Sequence, residues 1–260
     1  MKRAKNRLVS ALAATLLLGA VVSQYAVAEN QSFKSDADLQ AEVMNKALNK
    51  PNLKGVQVTA HDGVIALTGT VDRFYLKEEA DKRSHKIKGI KAISDEIQVA
   101  SGTIPDPVLE QKLVKAISYD RVGYGTTPFN AILVSVNNGE VTLGGHAYGP
   151  VDASSAFALA ASSPGVKNVI NEIKIDPASP MDDRTRIRVY RTVYGYSMLN
   201  KYAMDPAKPI RISVQNGDVT LYGVVNNQAD KNVAGLRANT VPGVFKVTNE
   251  LRVAGATEHN

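Results

Sequence analysis

One spacing constrains this chain more than any other feature: a glycine, a second glycine 26 residues later, and a glutamate seven residues beyond that, written three times without a gap. The triplets are Gly63, Gly89 and Glu96, then Gly139, Gly165 and Glu172, then Gly217, Gly243 and Glu250. The first glycine of each sits in a related phrase, "HDGVIALTG", "NNGEVTLGG" or "QNGDVTLYG". A register kept this strictly marks three homologous modules, at about 36–100, 105–177 and 180–254. The borders "SGTIPDP" and "DPASP" carry the proline, glycine and serine that interrupt regular structure. Modules of about 65 to 75 residues have marginal cores of their own. With linkers this short, packing between modules is expected to supply part of the stability.

Hydrophobic periodicity gives the order of elements. Leu39, Val43, Ala47 and Leu48 have helical spacing, as do Leu109, Leu113, Ala116 and Ile117, and Ile187, Tyr190, Val193 and Tyr194 in the third module. Two alternating runs then flank a two-residue turn. If that turn is Asp62-Gly63, opposed residues pair Ala60 with Ile65, Val58 with Leu67 and Val56 with Gly69. The same rule pairs Val134 with Leu143 and Val136 with Val141, then Ile212 with Leu221 and Val214 with Val219. Asn-Gly and Asp-Gly suit a type I′ turn, which needs positive φ at both central residues. Gly63, Gly139 and Gly217 therefore read as structural turn residues, and Gly217→Ala is expected to destabilise its module by about 1 kcal/mol.

A second helix follows, with small residues four apart on one face: Ala80 and Ser84, Ala156 and Ala160, Ala234 and Ala238. A last strand runs through Ile97 and Val99, Ile173 and Ile175, or Leu251 and Val253. The predicted fold class is α+β: three tandem α-β-β-α-β modules, each a small mixed three-stranded sheet with two helices packed on one face.

The start of the chain reads as a secretory leader. Lys2, Arg3, Lys5 and Arg7 precede an uncharged apolar run, and Ala26-Val27-Ala28 fits a cleavage site after Ala28. The expected location is the periplasm. The sequence has 31 basic and 25 acidic residues, and four of the basic ones fall within residues 1–28, leaving 27 against 25. That near balance argues against a nucleic-acid partner. There is no cysteine, so neither a disulfide nor a lipid-bearing cysteine is available.

The repeat G-x-V/I-x-L-x-G, followed by K/P-G-I/V and then D/N-E-I/L-x-V/I, resembles the BON domain, the module named for bacterial osmotically inducible periplasmic and nodulation proteins. The likeness covers nearly all of the chain beyond the leader. It implies a role in phospholipid binding or envelope integrity, although a fold alone does not fix function. Proteins of this kind commonly carry a signal peptide and two such domains, and some are lipoproteins. With three modules and no lipid-accepting cysteine, this chain is expected to be a soluble periplasmic protein.

Reactive groups are thinly spread. His61, His85, His146 and His259 occupy non-equivalent places in the repeat, so neither a metal site nor a cofactor is expected. Glu96, Glu172 and Glu250 stand singly, which suits structural hydrogen bonding better than catalysis. The glycines Gly69, Gly145 and Gly223 end a strand before the second helix, where a lipid phosphate is the alternative to simple strand termination.

Two surfaces remain for lipid or protein contact. One is the stretch at residues 73–91, expected to be the second helix of the first module, with Arg73, Lys77, Lys82, Arg83, Lys86, Lys88 and Lys91 against Glu78, Glu79 and Asp81. It suits an anionic phospholipid surface, although Glu78 with Lys82 and Glu79 with Arg83 are also i,i+4 pairs of an ordinary solvated face. The other is aromatic: the segments "SYDRVGYGTTPF" and "YGYSMLNKYAMDPAKP" bring Tyr119, Tyr124, Tyr194, Tyr196 and Tyr202. Counting back from Val134 and Ile212 aligns Tyr124 with Tyr202. These rings fit a bilayer interface, an envelope protein partner, or the sealing of a small core. The resulting expectation is a non-enzymatic envelope-maintenance protein acting under osmotic or similar stress, making weak multivalent contacts with anionic phospholipid. The alternative is a periplasmic scaffold or chaperone-like adaptor.

Overall fold

The computed structural model describes residues 34–255. The leader and its cleavage site, like His259, lie outside these residues. The first module comprises α1 (Asp36–Glu42, continued by a wider turn over Val43–Ala47), β1 (Val56–His61), β2 (Val64–Val71), α2 (Phe74–Ser84), β3 (Ala92–Asp95) and β4 (Gln98–Val99). The second holds α3 (Asp106–Asp120), β5 (Ala131–Asn137), β6 (Glu140–Ala147), α4 (Pro150–Ser162), β7 (Asn168–Asn171) and β8 (Lys174–Ile175). The third holds α5 (Pro180–Tyr194), β9 (Arg211–Gln215), β10 (Asp218–Val225), α6 (Gln228–Asn239) and β11 (Lys246–Val253).

Each sheet is mixed. The hairpin strands are antiparallel, and the last strand lies parallel to the second hairpin strand, which is therefore central. Every pairing expected from the turn arithmetic is present, from Val58 opposite Leu67 to Val214 opposite Val219. The last strand is continuous only in the third module. In the other two it divides into β3 and β4, or β7 and β8. At each break a side-chain oxygen folds back on the chain: Asp95 accepts from the Ile97 amide at 3.0 Å and Asn171 from the Ile173 amide at 3.2 Å. The glutamates between them, Glu96 and Glu172, are exposed; both amides bond to the central strand, and the Glu96 carboxylate also accepts from the Ser94 hydroxyl at 3.0 Å. The local hydrogen bonding expected of the repeated glutamates is thus seen at Glu96, while the bond that folds the chain back at each break is made by the residue before the glutamate.

The turns take the expected form. Asp62, Asn138 and Asn216 have φ of 52°, 53° and 53°, and Gly63, Gly139 and Gly217 follow at 79°, 80° and 81°. What holds each turn is a carboxylate that sequence reading did not single out. Asp36 accepts from the Asp62 and Gly63 amides, both at 2.8 Å. Asp106 accepts from Asn138 and Gly139 at 2.6 and 3.0 Å, and Asp182 from Asn216 and Gly217 at 2.9 and 2.8 Å. Each aspartate lies in the first turn of its helix, where negative charge is also favoured by the helix dipole. On its other side the turn glycine's carbonyl accepts from the start of the last strand, at Lys91, Lys167 or Phe245. One two-residue turn therefore ties first helix, hairpin and last strand together.

The second glycine of each phrase has a different cause. A Cβ on Gly69 or Gly145 would come within 2.1 Å of a carbonyl oxygen, of Gly55 or Ala131, and one on Gly223 within 2.6 Å of the Pro209 carbonyl. The approach of the incoming chain requires glycine here.

Each module has its own core. In the first, Leu39 and Val43 from α1 and Leu76 and Ala80 from α2 meet Val58, Ile65 and Leu67, so both helices cover one face of the sheet. The small-residue stripe is buried as predicted, with Ala80, Ser84, Ala160, Ala234 and Ala238 all fully covered. Side chains also cross between modules. Phe74, at the start of α2, is buried in the core of the second module and meets Phe157 edge-on at 6.4 Å. Val99 packs against both cores, and Ser101 exchanges hydrogen bonds with Val166 and Gly165.

Two expectations follow from the clamp. Asp182 is buried, so Asp182→Ala leaves two amides without their charged acceptor and should lower stability by about 3 kcal/mol in urea unfolding, with Asp182→Asn losing about half of that. Gly217→Ala should exceed the 1 kcal/mol expected from sequence, because a Cβ there lies 2.6 Å from the Phe245 ring and 2.9 Å from the Gly243 carbonyl as well as at positive φ. A loss of about 2 to 3 kcal/mol is expected. In the first module, the amides of Gly63 and Asp62 hold the Asp36 carboxyl below its ordinary value. Its stabilising effect is complete above the unfolded-chain pKa near 4 and is lost as pH falls through the lower folded value. The protection of the Gly63 amide against hydrogen exchange, taken relative to its intrinsic rate at each pH, should therefore fall below about pH 4, and Asp36→Asn should remove that dependence.

Candidate membrane and partner interface

The basic segment of the first module does not form one helix. α2 ends at Ser84, so Lys86, Lys88 and Lys91 lie in the turn and strand approach beyond it. The structure divides the seven cations into two groups. Arg73 meets Asp72, and Lys77 donates to the Ile97 carbonyl at 2.8 Å and lies 3.6 Å from Asp95. Lys82 pairs with Glu78 at 3.2 Å, and Arg83 pairs with Glu79 while donating to the Ala47 and Lys46 carbonyls. Lys77 and Arg83 fasten the helix to the rest of its module, while Arg73 and Lys82 meet nearby carboxylates and Lys82 also lies 5.8 Å from the ring centre of Phe157 in the second module. Lys86, Lys88 and Lys91 are exposed and make no ion pair among the described residues.

The five tyrosines also separate. Tyr194 is buried, its hydroxyl donating to the Ile210 carbonyl at 2.6 Å, and burial pushes its phenol far above the ordinary range. Tyr202 is buried too, donating to Asp230 at 2.6 Å and accepting from the Asn226 amide at 2.7 Å. Tyr196 packs on the same core beneath Arg237. Tyr119 is half exposed and reaches Asp205 of the third module at 3.3 Å; that carboxylate pushes its phenol upward. Tyr124 is 69 % exposed with the Arg121 guanidinium 4.0 Å from its ring centre. Tyr124 and Tyr202 align in sequence, yet one is a surface ring and the other a core residue. The loops around them differ, with short 3-10 turns at Val122–Tyr124 and Thr127–Phe129 in one and at Asn200–Ala203 in the other.

The second and third modules are joined through groups that sequence reading left aside. Arg211, Ser213 and Gln215 alternate on the face of β9 opposite its core residues Ile212 and Val214. Arg211 donates to the Thr127 and Asn130 carbonyls at 3.1 and 2.8 Å and to the Ser118 hydroxyl at 2.8 Å. Asp176, placed by sequence in a linker, is buried and accepts from Ser213 at 3.0 Å and Gln215 at 3.1 Å, with Arg186 at 3.4 Å and His146 Nδ1 at 3.0 Å. Phe129 adds an aromatic seam, 5.9 Å from Tyr148 and 6.0 Å from Tyr190. The junction's trace in sequence is the alternating run "IRISVQ", a pattern shared with any strand that has one solvated face, so the junction was not legible there.

No group of three or more histidine or carboxylate side chains that could hold a metal is present among the described residues. His61 and His85 each face a neighbouring aspartate at the surface, while His146 belongs to the buried junction. No helix among the described residues is long and apolar enough to cross a membrane.

Comparison with known proteins adds a family. Over 199 residues the chain is 23% identical to osmotically-inducible protein Y of Escherichia coli (strain K12), an alignment covering 67% of this chain and 99% of that protein. Among solved structures, the C-terminal domain of CdsD, a structural protein of the type III secretion system of Chlamydia trachomatis, aligns over 85% of this chain and 99% of its own length with 16% identity and a TM-score of 0.23. The periplasmic domain of the type III secretion inner-membrane protein PrgH from S. typhimurium aligns over 79% of this chain and 96% of its own, with 10% identity and a TM-score of 0.19. The BON domain model matches residues 35–101, 105–177 and 196–255. The last match leaves out α5, whose Asp182 nonetheless repeats the clamp made by Asp36 and Asp106. With three such matches over most of its length, this chain belongs to the BON-domain family.

Proposed function

We propose that this chain is a non-enzymatic periplasmic protein of the envelope stress response, which makes weak contacts with anionic phospholipid through the turn that follows α2. Its kinship with an osmotically inducible protein and the secretory features of its first residues support the coarser reading. The observation that carries the lipid reading is the group Lys86, Lys88 and Lys91, three exposed cations within six residues and without ion-pair partners among the described residues. At about 1 kcal/mol per basic charge near an anionic surface, the three contribute about 3 kcal/mol, weaker than a millimolar contact. Several modules acting together would be needed for stable association. An adaptor role is favoured by one specific feature, the exposed Tyr124 ring beneath Arg121.

Co-sedimentation with phosphatidylglycerol vesicles at several salt concentrations tests the first reading. Binding should be present at low salt, weaken steeply as the Debye length shrinks, and be lost in the triple variant K86E/K88E/K91E. Absence of binding at low salt would sink it. Tyr124→Ser should leave vesicle binding unchanged, and if it alone abolishes capture of an envelope protein, the adaptor reading gains. Tyr202 is unsuited to that comparison because its replacement opens the core.

A further inference from the structure

A cleft of about 520 Å³ lies between the second and third modules, within the size range of small-molecule sites. Its walls are apolar on both sides. Ile132 and Leu133 come from β5, with Val114 from α3, and Val224 and Pro209 face them from the third module. Leu133 is 52 % exposed and Val224 41 %, so each module leaves a large aliphatic side chain uncovered on this cleft.

The rest of the lining is charged, and its balance is uneven. Lys201, Lys208, Arg211 and Arg252 stand against Glu110 and Asp205. Lys201 is already held by Asp230 at 2.7 Å. Asp205 is occupied by the Tyr119 hydroxyl and the Ala207 amide. Lys208 and Arg252 are exposed and make no ion pair among the described residues. Arg211 is more telling. Its guanidinium is held by two carbonyls and a hydroxyl, with no carboxylate among its partners. Burial pulls it down to about 10, so it remains charged at neutral pH. A cation withdrawn from water normally has an opposite charge nearby, since neutral hydrogen bonds alone leave its desolvation uncompensated.

We propose that this cleft binds a single-chain anionic amphiphile, its head meeting Arg211, Arg252 and Lys208 and its aliphatic chain lying against Leu133, Ile132 and Val224. Arg252 and Val224 are directly opposed across β10 and β11, so head and chain sites adjoin. A free inorganic anion would use the cations and leave the aliphatic walls wet. A neutral lipid would cover the walls and leave Arg211 without a counter-charge. The site stands on the junction of the last two modules and does not depend on the lysines after α2.

The test is calorimetric titration of the full chain, below the micelle concentration, with dodecanoate and with dodecyl phosphate, which offer the same chemistry through different heads; inorganic phosphate is the control. Saturable one-to-one binding of at least one amphiphile, with phosphate weaker by about a hundredfold, is expected. Leu133→Asp and Arg252→Glu, both at exposed positions, should each weaken it by about tenfold or more with unchanged thermal unfolding. The K86E/K88E/K91E variant should bind the amphiphile as the native chain does, which separates this site from vesicle attachment. Non-saturable uptake, phosphate binding as tightly as dodecyl phosphate, or full binding by Leu133→Asp would each overturn the proposal.

Discussion

Each module depends on one interaction: an aspartate in the first helical turn accepting both amides of a type I′ hairpin turn. Asp36, Asp106 and Asp182 do this with donor distances between 2.6 and 3.0 Å. The turn requires two consecutive residues at positive φ, a strained choice for Asp62, Asn138 and Asn216. It also points two amides away from the hairpin ladder. A carboxylate satisfies both at once, and because it belongs to a helix it fixes where that helix enters the fold. The carbonyl of the same turn then accepts the first amide of the last strand. Remove the carboxylate and the helix, hairpin and last strand lose the point at which they meet.

With helices on only one side, each sheet has a second face to account for. In the third module the part of that face along β9 is polar and covered: Arg211, Ser213 and Gln215 reach Ser118, Asn130 and Asp176 of the second module. A junction of this kind is selective in a way an apolar one is not, because any shift in register leaves a buried charge unsatisfied. Asp176 is the centre of it, with four side chains around one carboxylate. The first and second modules are joined differently, by aromatic and aliphatic packing through Phe74, Phe157 and Val99.

Much of this was legible from residues alone, and the remainder shows what sequence periodicity does not carry. Turn glycines in register gave module number, hairpin pairing and the buried alanine stripe, since each rests on contacts close in sequence or on strict alternation. The aspartate clamp escaped because its reach varies: Asp36 lies 27 residues from Gly63, Asp106 lies 33 from Gly139 and Asp182 lies 35 from Gly217. Loop insertions change that distance while leaving the geometry the same. The pairing of Tyr124 with Tyr202 failed for the converse reason, equal spacing with different surroundings. As for the basic segment, composition could count seven cations but could not tell which were occupied by Ile97, Ala47, Glu78 and Glu79.

That division of the cations bears on how the protein could hold a membrane. Three linked modules raise local concentration only if their contacts can be made at the same time, and geometry decides whether they can. Flexible beads would let each module search for lipid independently and lose entropy on every contact. Here the junctions are built from buried groups, with Asp176 and Arg186 between the last two modules and Phe74 between the first two. Lys86, Lys88 and Lys91 therefore sit on a body whose other surfaces are already oriented, so one weak contact would restrict which residues face the bilayer next. A body of this kind gains less from adding identical basic patches than from carrying different sites on different modules. The unequal chemistry of its three modules fits that constraint: exposed lysines in the first, an exposed tyrosine in the second, and an aliphatic and cationic cleft shared with the third.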